Sequence, residues 1–468
     1  MVIIRLSLKN VYSIEAPCHT KLAYSIYITN TRTSCILTRY WLTYRIVSSS
    51  KRFNAPMVAR MMNWFVLRGS MIMLFWSAVL YWIGFSMLRP MVALYFGDAG
   101  YSAILIGLMM ATNAVIPVIF AMPAGSIIDR IGSRNAVFIG SSVMILSGGM
   151  YLLGGGFNWL WPVLVGQILN GVGSLLSWGA LQASAAIASN DHNTLHKRRE
   201  HLLPNFAFVN SIAQFGGPVL GGILADAGSF LWVFITFIGI AVLSAGSALF
   251  LPKHNKAEAR RQKELTFKFW QSYGSGVTLM QTNRPFMISI ILNAILFILV
   301  DIKGTFLPLY LATMNLSNTQ IGSILSISGV AAITVRPFVG FLLRSLGHQW
   351  IMIISILVGG VCLTALGFQP TIWLVITLVF AWGLCTGVNQ PMALIMVARS
   401  VASEQQGMGM SLRTMSNRIV QVVNPVVFGG VSGLIGLTFG FGALGIILIG
   451  VSAGMYGYLK PTLPVQQR

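Results

Sequence analysis

Gly125-Ser-Ile-Ile-Asp-Arg-Ile-Gly-Ser-Arg134 has a damaged copy 215 positions later, Gly340-Phe-Leu-Leu-Arg-Ser-Leu-Gly-His-Gln349. Each segment follows an apolar stretch, and each stretch carries an Ile-Gly pair at the same offset, Ile106-Gly107 and Ile321-Gly322. Further upstream, Leu94-Tyr95 matches Leu309-Tyr310. One offset shared by three separate features is the mark of an internal duplication.

Composition sets the class of the duplicated unit. Hydrophobic residues make up 55% of the chain and charged ones 9%, against about 25% charged in an ordinary soluble domain. So little charge cannot cover a water-facing globule of 468 residues. The chain is therefore read as an integral membrane protein. Its apolar runs exceed the roughly 9–11 residues of a barrel strand and do not alternate apolar with polar, so they are helical. Twelve spans are predicted, at 71–96, 102–124, 135–156, 160–188, 205–225, 230–251, 285–312, 319–343, 349–368, 371–398, 408–434 and 437–459. Each is near or above the ~20 residues that cross ~30 Å of hydrocarbon. The predicted fold class is all-α, with six spans in 69–251 and six in 285–460, joined by 252–284 and followed by a tail, 461–468. A duplicated apolar chain with charged turns between its helices points to a transporter built from two related halves.

The net charge of +21 raises the question of nucleic acid, and its distribution answers it. Basic residues collect in alternate loops: Arg130 and Arg134, Lys197 to Arg199, the stretch from Lys253 to Arg284, Arg344, and Arg399. The intervening turns at 97–101, 157–159, 226–229, 313–318, 369–370 and 435–436 contain no Lys or Arg. That alternation is the positive-inside pattern, so the charge reports topology and nucleic-acid binding is excluded. Both termini are expected on the cytoplasmic side of a bacterial inner membrane. Four cysteines, Cys18, Cys35, Cys362 and Cys385, form neither a metal-ligand spacing nor a disulfide framework. No cofactor or metal is expected.

Residues 1–68 look foreign to the rest. Positions 1–60 hold nine Lys/Arg against one acid, Glu15. Two readings fit: a basic, hydroxyl-rich targeting peptide, or a start codon taken too far upstream. The second is preferred because Met57, Met61, Met62 and Met71 all sit just before the first span. Residues 1–60 are expected to be poorly ordered. The central loop 252–284 is expected to be partly helical along the membrane surface.

Gly125-x-x-x-Asp129-Arg130-x-Gly132-x-Arg134 resembles the loop 2–3 signature of the major facilitator superfamily. With twelve spans and the weaker echo between spans 8 and 9, the resemblance extends over 71–460. It implies that these residues form a cytoplasmic gate. Glycine permits close helix approach, Asp129 can accept hydrogen bonds at a neighbouring helix N-terminus, and Arg130 and Arg134 add charge pairs. The echo carries Arg344 in place of an acid, so the gate is expected to be asymmetric. In span 5, Gly217-Pro218-x-x-Gly221-Gly222 resembles the antiporter motif of drug/proton exporters, with Ala213 in place of its first glycine. Span 11 carries a relative, Asn424-Pro425 followed by Gly429-Gly430. One departure counts against the exporter pattern: Gly171-Val-Gly173 is preceded by Gln167 where such exporters usually have arginine.

Charges inside spans are costly and mark functional sites. Asp301 lies about 24 Å along span 7, and the 215-residue offset places Arg89 at nearly the same depth in span 1. Because spans 1 and 7 meet in the family, Arg89 and Asp301 are expected to pair across the halves when the outer side is closed. Asp301, the one acid clearly within a span, is also the default proton carrier. A pair with Lys303 is disfavoured, since i and i+2 face different ways on a helix. Arg336 and Arg418, with Gln167, Asn170, Asn389 and Gln390, are candidates to line a polar cavity. The leading functional expectation is a monomeric secondary transporter of a small solute, exporting it by alternating access in exchange for protons. The alternative is an uptake permease for an organic anion or other polar metabolite. No nucleotide-binding loop, zinc motif or nucleophile elbow is present, which argues against an enzyme or an ATP-driven pump.

Overall fold

The computed structural model describes residues 55–190, 196–251, 269–389, 391–392, 395, 400–401 and 405–459, with only the backbone path at some positions, among them 55–71 and Asp129. Most of the N-terminal extension, most of the central loop and the tail lie outside the described residues, together with the expectations made for them. The chain divides into two compact units, Met1–Val66 and Leu67–Arg468, and the second holds all the spans.

Among the described residues, eleven helices are long and apolar enough to cross a bilayer. They are α1 (Ala55–Asp98, apolar from Ile72), α2 (Ala103–Phe120), α4 (Ser133–Phe157), α5 (Leu160–Asn190), α6 (His196–Gly228), α7 (Phe230–Ala248), α9 (Arg284–Thr305), α11 (Asn318–Val335), α13 (His348–Leu366), α15 (Gln406–Ile435) and α16 (Leu437–Leu459). A twelfth, α14 (Ile372–Gly387), is shorter and also apolar. Between them lie the short helices α3 (Ala124–Ile131), α8 (Phe269–Thr282, in the central loop), α10 (Leu307–Ala312) and α12 (Val339–Leu346).

Four predicted spans run on where the helix does not. Span 2 ends at Phe120, and its last predicted residue belongs to α3. Span 7 breaks after Thr305, where Pro308 in the first turn of α10 has no N–H to continue the ladder. Span 8 tightens into a 3₁₀ turn at Arg336–Phe338, around Pro337. Span 10 breaks at Val388, after Gly387, and Asn389 is helical again.

The duplication is retained in detail. α2 and α11 have the same limits at the 215-residue offset, and so do α3 and α12. Ser102 and Ser317 cap α2 and α11, each accepting from the backbone N–H three residues on. Gly132 and Gly347 end α3 and α12 at φ of 81° and 78°, a left-handed conformation that glycine adopts without penalty. The two quoted segments are thus the same object, a short amphipathic helix stopped by a glycine.

Within each half, small residues set the helix spacing. A Cβ added at Gly140 on α4 would lie 2.8 Å from the Gly173 carbonyl oxygen on α5, and one at Gly445 on α16 would lie 2.6 Å from that of Gly360 on α13. The outer surface is greasy. Phe157, Trp159, Trp161, Trp232, Phe368 and Trp373 are each more than half exposed, and all flank turns free of Lys and Arg. They form the aromatic belt of one membrane interface.

Candidate functional site

Among the described residues, the halves pack most extensively along two helix pairs, α2 with α15 and α6 with α11. At Gly107 on α2 an added Cβ would overlap the Pro425 carbonyl oxygen on α15; at Gly322 on α11 it would overlap that of Pro218 on α6. Those two glycines are the pair that first displayed the duplication. One turn along, Gly222 sits on the Asn318 carbonyl oxygen, and Gly429 on that of Ala103. Only glycine allows backbones this close. The stretch 217–222 and its relative 424–430 therefore build the seam itself, while Gly217 and Gly221 turn inward onto Ser86 and Met91 of α1. Ser326 Oγ donates to the Phe215 carbonyl at 2.6 Å across the same seam.

These contacts lie where α2 and α11 begin, beside the turns that lack basic residues, so the seam is shut at that face. An acid not singled out in the sequence adds to the closure. Asp226, at the end of α6, accepts from the backbone N–H groups of Asn318 (3.0 Å) and Thr319 (2.7 Å) and from the Asn318 side-chain amide (2.9 Å). A carboxylate there satisfies two orphan donors of α11 and meets the positive end of its dipole. The sequence offers only an acid in a polar turn as a signal, which becomes informative once α6 is known to lie on α11.

Arg89 and Asp301 meet. The Arg89 guanidinium pairs with one carboxylate oxygen and also donates to Thr305 Oγ1 at 3.0 Å. The other carboxylate oxygen accepts from Asn424 Nδ2 at 2.7 Å. Asp301 is fully buried and the Arg89 side chain 18% exposed, so both carboxylate oxygens of a desolvated acid are satisfied. The cluster ties α1 of one half to α9 and α15 of the other. Lys303 faces away and donates to Thr386 Oγ1 on α14 at 2.9 Å, as the two-residue spacing requires.

A narrow cavity adjoins Arg89, lined among others by Phe85, Asn113, Gln167, Asn170 and Gln421. Gln167 accepts from the Tyr151 hydroxyl at 3.2 Å and turns its amide nitrogen to the Met110 sulfur at 3.4 Å. Arg418, nine-tenths buried, donates to Gln421 Oε1 at 2.9 Å. Its neighbour Asn417 accepts from Asn293 Nδ2 on α9 at 2.7 Å. Arg336 reaches across the seam to the Ser211 hydroxyl on α6. Asn389 is buried beyond the end of α14, and Gln390 lies outside the described residues. Arg413 on α15, buried like Arg418, went unnoticed because an arginine near the basic end of a span reads as a topology signal.

The loop 2–3 signature sits at the opposite end. Arg130 is exposed, Arg134 half-buried and Gly132 buried at the end of α3, while the Asp129 side chain lies outside the described residues. Among the described residues, no heavy atom lies within 4 Å of a Cβ added at Gly125. The tight glycine contacts between the halves lie at the other face, where the seam is shut.

A family model described as "Major Facilitator Superfamily" matches residues 74–348 and 302–468. Among curated relatives, the class H tetracycline resistance protein of Pasteurella multocida is 23% identical over 327 residues, covering 69% of this chain and 78% of its own. The multidrug resistance protein MdtG of Salmonella choleraesuis is 23% identical over 376 residues, covering 78% of this chain and 88% of its own. Among solved structures, a POT family transporter in complex with 5-aminolevulinic acid superposes with a TM-score of 0.68 at 14% identity, covering 84% of this chain and 96% of that one. A mutant of the nucleoside transporter NupG gives 0.68 at 14% identity, with 84% and 100% covered.

Proposed function

The chain belongs to the major facilitator superfamily of membrane transporters, and on that premise we propose that it exports a small solute in exchange for protons by alternating access. The observation that carries the reading is the seam. Matched glycines close the halves at one face, and the fully buried Asp301 sits on that seam, bonded from both halves. A site reached from alternate sides needs such a separable contact, and a buried carboxylate at it is the natural group to take up and release a proton.

Export is supported by the antiporter-like stretch 217–222 at the seam and by the drug-resistance names of the relatives. The alternation of basic loops supports an orientation with their face cytoplasmic, both termini on that side and the closed face outward. The gate of Gly125, Asp129, Arg130, Gly132 and Arg134 then closes the cytoplasmic side when the outer seam opens. The protein works as a monomer in a bacterial inner membrane. The second reading is uptake of an organic anion or polar metabolite, and Gln167 favours it, because it stands where the exporters carry arginine and is engaged by Tyr151. Counterflow in proteoliposomes, with and without a pH gradient, tests the proposal. Exchange that the gradient leaves unchanged in rate and extent refutes proton coupling. A deletion strain that gains no sensitivity to any tested toxic solute, but loses growth on a nutrient, favours uptake.

A further inference from the structure

We infer that the cavity beside Arg89 is the site of a single internal water, bound by both halves of the molecule and released when they part. The inference goes beyond the export reading, since it holds for either direction of transport and for any cargo.

Size is the first argument. The cavity leaves about 20 Å³ to a water-sized sphere, and one water needs roughly 10–15 Å³. Nothing much larger fits. Apolar voids stay dry and polar ones fill, so the lining decides. Six of the side chains around it carry polar groups: Arg89, Asn113, Tyr151, Gln167, Asn170 and Gln421.

Hydrogen-bond balance is the second. Gln167 is already engaged, its oxygen by the Tyr151 hydroxyl and its nitrogen by the Met110 sulfur. Four others keep a free group. Both hydrogen bonds of Arg89 leave from Nη2, so its remaining N–H groups have no acceptor among the described residues. Gln421 gives its oxygen to Arg418 and keeps its amide N–H groups. Asn113 donates through Nδ2 to the Gln167 carbonyl at 3.1 Å and keeps its oxygen. Asn170 Oδ1 is buried with no partner among the described residues. Two residues with spare donors and two with spare acceptors thus line one small space. A water donates two hydrogen bonds and accepts two, which complements that set. A buried amide oxygen left bare is costly, and a water is the partner that fits.

Topology is the third. Arg89 on α1, Asn113 on α2 and Asn170 on α5 belong to the N-terminal half, and Gln421 on α15 to the C-terminal half. The water is therefore a bridge between the halves beside the Arg89–Asp301 pair. Gln421 is the positioning residue that completes the site, and parting the halves withdraws it.

The full chain in nanodiscs, imaged by cryo-electron microscopy at a resolution that shows ordered waters, tests the site directly. One peak within hydrogen-bonding distance of Arg89, Asn170 and Gln421 is expected. A cavity without density, or a peak bonded to one half alone, overturns the inference. A double-mutant cycle tests the bridge. In a Ser326→Cys background, labelling by an impermeant maleimide added outside reads the opening of the seam, where Ser326 is buried against the Phe215 carbonyl. Asn170→Leu and Gln421→Leu each remove one arm of the bridge and should each speed labelling about fivefold, the contribution of one hydrogen bond. The double variant should stay near fivefold, because the second substitution finds the bridge already gone. Gln421→Leu also takes the acceptor from Arg418, but that separate cost is the same with or without Asn170 and cancels in the cycle. Effects that multiply to roughly twenty-five-fold, or single variants that change nothing, overturn the bridge. Where a variant fails to fold, the wild-type map decides. Neither readout involves a cargo or a proton, so failure of the export reading leaves both intact.

Discussion

Replacing Asp301 by Asn removes the one ion pair that the described residues show between the halves. The magnitude follows from its burial. Breaking a buried pair from one side costs roughly 3–5 kcal/mol, and here the lower figure applies, because Arg89 is 18% exposed and keeps its bond to Thr305. In the proposed cycle the contact is made while the outer seam is shut and broken when it opens, so the loss falls on the shut state. About 3 kcal/mol shifts the balance toward outer opening by roughly a hundredfold. Ser326, buried at the seam against the Phe215 carbonyl, reports the shift. With Ser326→Cys in the background, the rate of labelling by an impermeant maleimide added outside should rise by up to that factor in Asp301→Asn. Arg89→Asp or Asp301→Arg, each leaving like charges face to face, should do at least as much. Both reversals together should recover slow labelling and part of the transport, since the Asn424 amide can turn its oxygen toward a guanidinium at 301. A double variant no better than either single one would refute the pairing as a gate. If Asp301 also carries the proton, Asp301→Asn should keep exchange and lose accumulation driven by a pH gradient; loss of neither assigns the proton elsewhere.

Three further outcomes follow from the same contacts. Asp226→Ala should speed the labelling at 326 by only about fivefold, because an exposed helix cap contributes about 1 kcal/mol, and Asp226→Asn should change it little, since asparagine caps as well; equal effects of both would refute the capping role. Gly107→Ala and Gly322→Ala force a Cβ onto a carbonyl oxygen and must part the halves by at least ~1 Å; both should abolish slow labelling, whereas Gly239→Ala, which meets open space, should not. Asp129→Asn should lower the transport rate about tenfold, the worth of one charge-assisted bond, against less than about twofold for Arg344→Gln; comparable losses would contradict an asymmetric inner gate.

How much of this the chain disclosed depends on the range of the physics involved. The charge deficit and the alternation of basic loops are properties of whole segments, and they yield the twelve spans without any knowledge of neighbours. Arg89 and Asp301 could be brought together because the duplication supplies a ruler: equal depth in matching spans is close to a contact. The breaks at Pro308 and Pro337 were visible as residues and yet missed, because hydropathy ignores the lost N–H that stops a helix. Asp226 and the packed rings of Tyr81, Trp82 and Trp178 are different. An acid in a turn looks solvated, and aromatic residues in a span look lipid-facing, until the helix that packs against them is known.

The seam shows why duplication does not enforce symmetry. Gly222 on α6 and Gly429 on α15 occupy matching places, each against the first carbonyl of the facing helix. Four residues further along, α6 has Asp226 and α15 has Gly433. Asp226 spans the gap with hydrogen bonds, while Gly433 packs against the Ile104 side chain of α2. Both half-seams pack backbone against backbone at their glycines, and the α6–α11 one adds a charge on a helix end. Salt screens that added charge and leaves the backbone packing untouched. An outer face built this way can open at its α6–α11 edge first. The inner signature likewise has its acid in the first copy, Asp129, with Arg344 in the second.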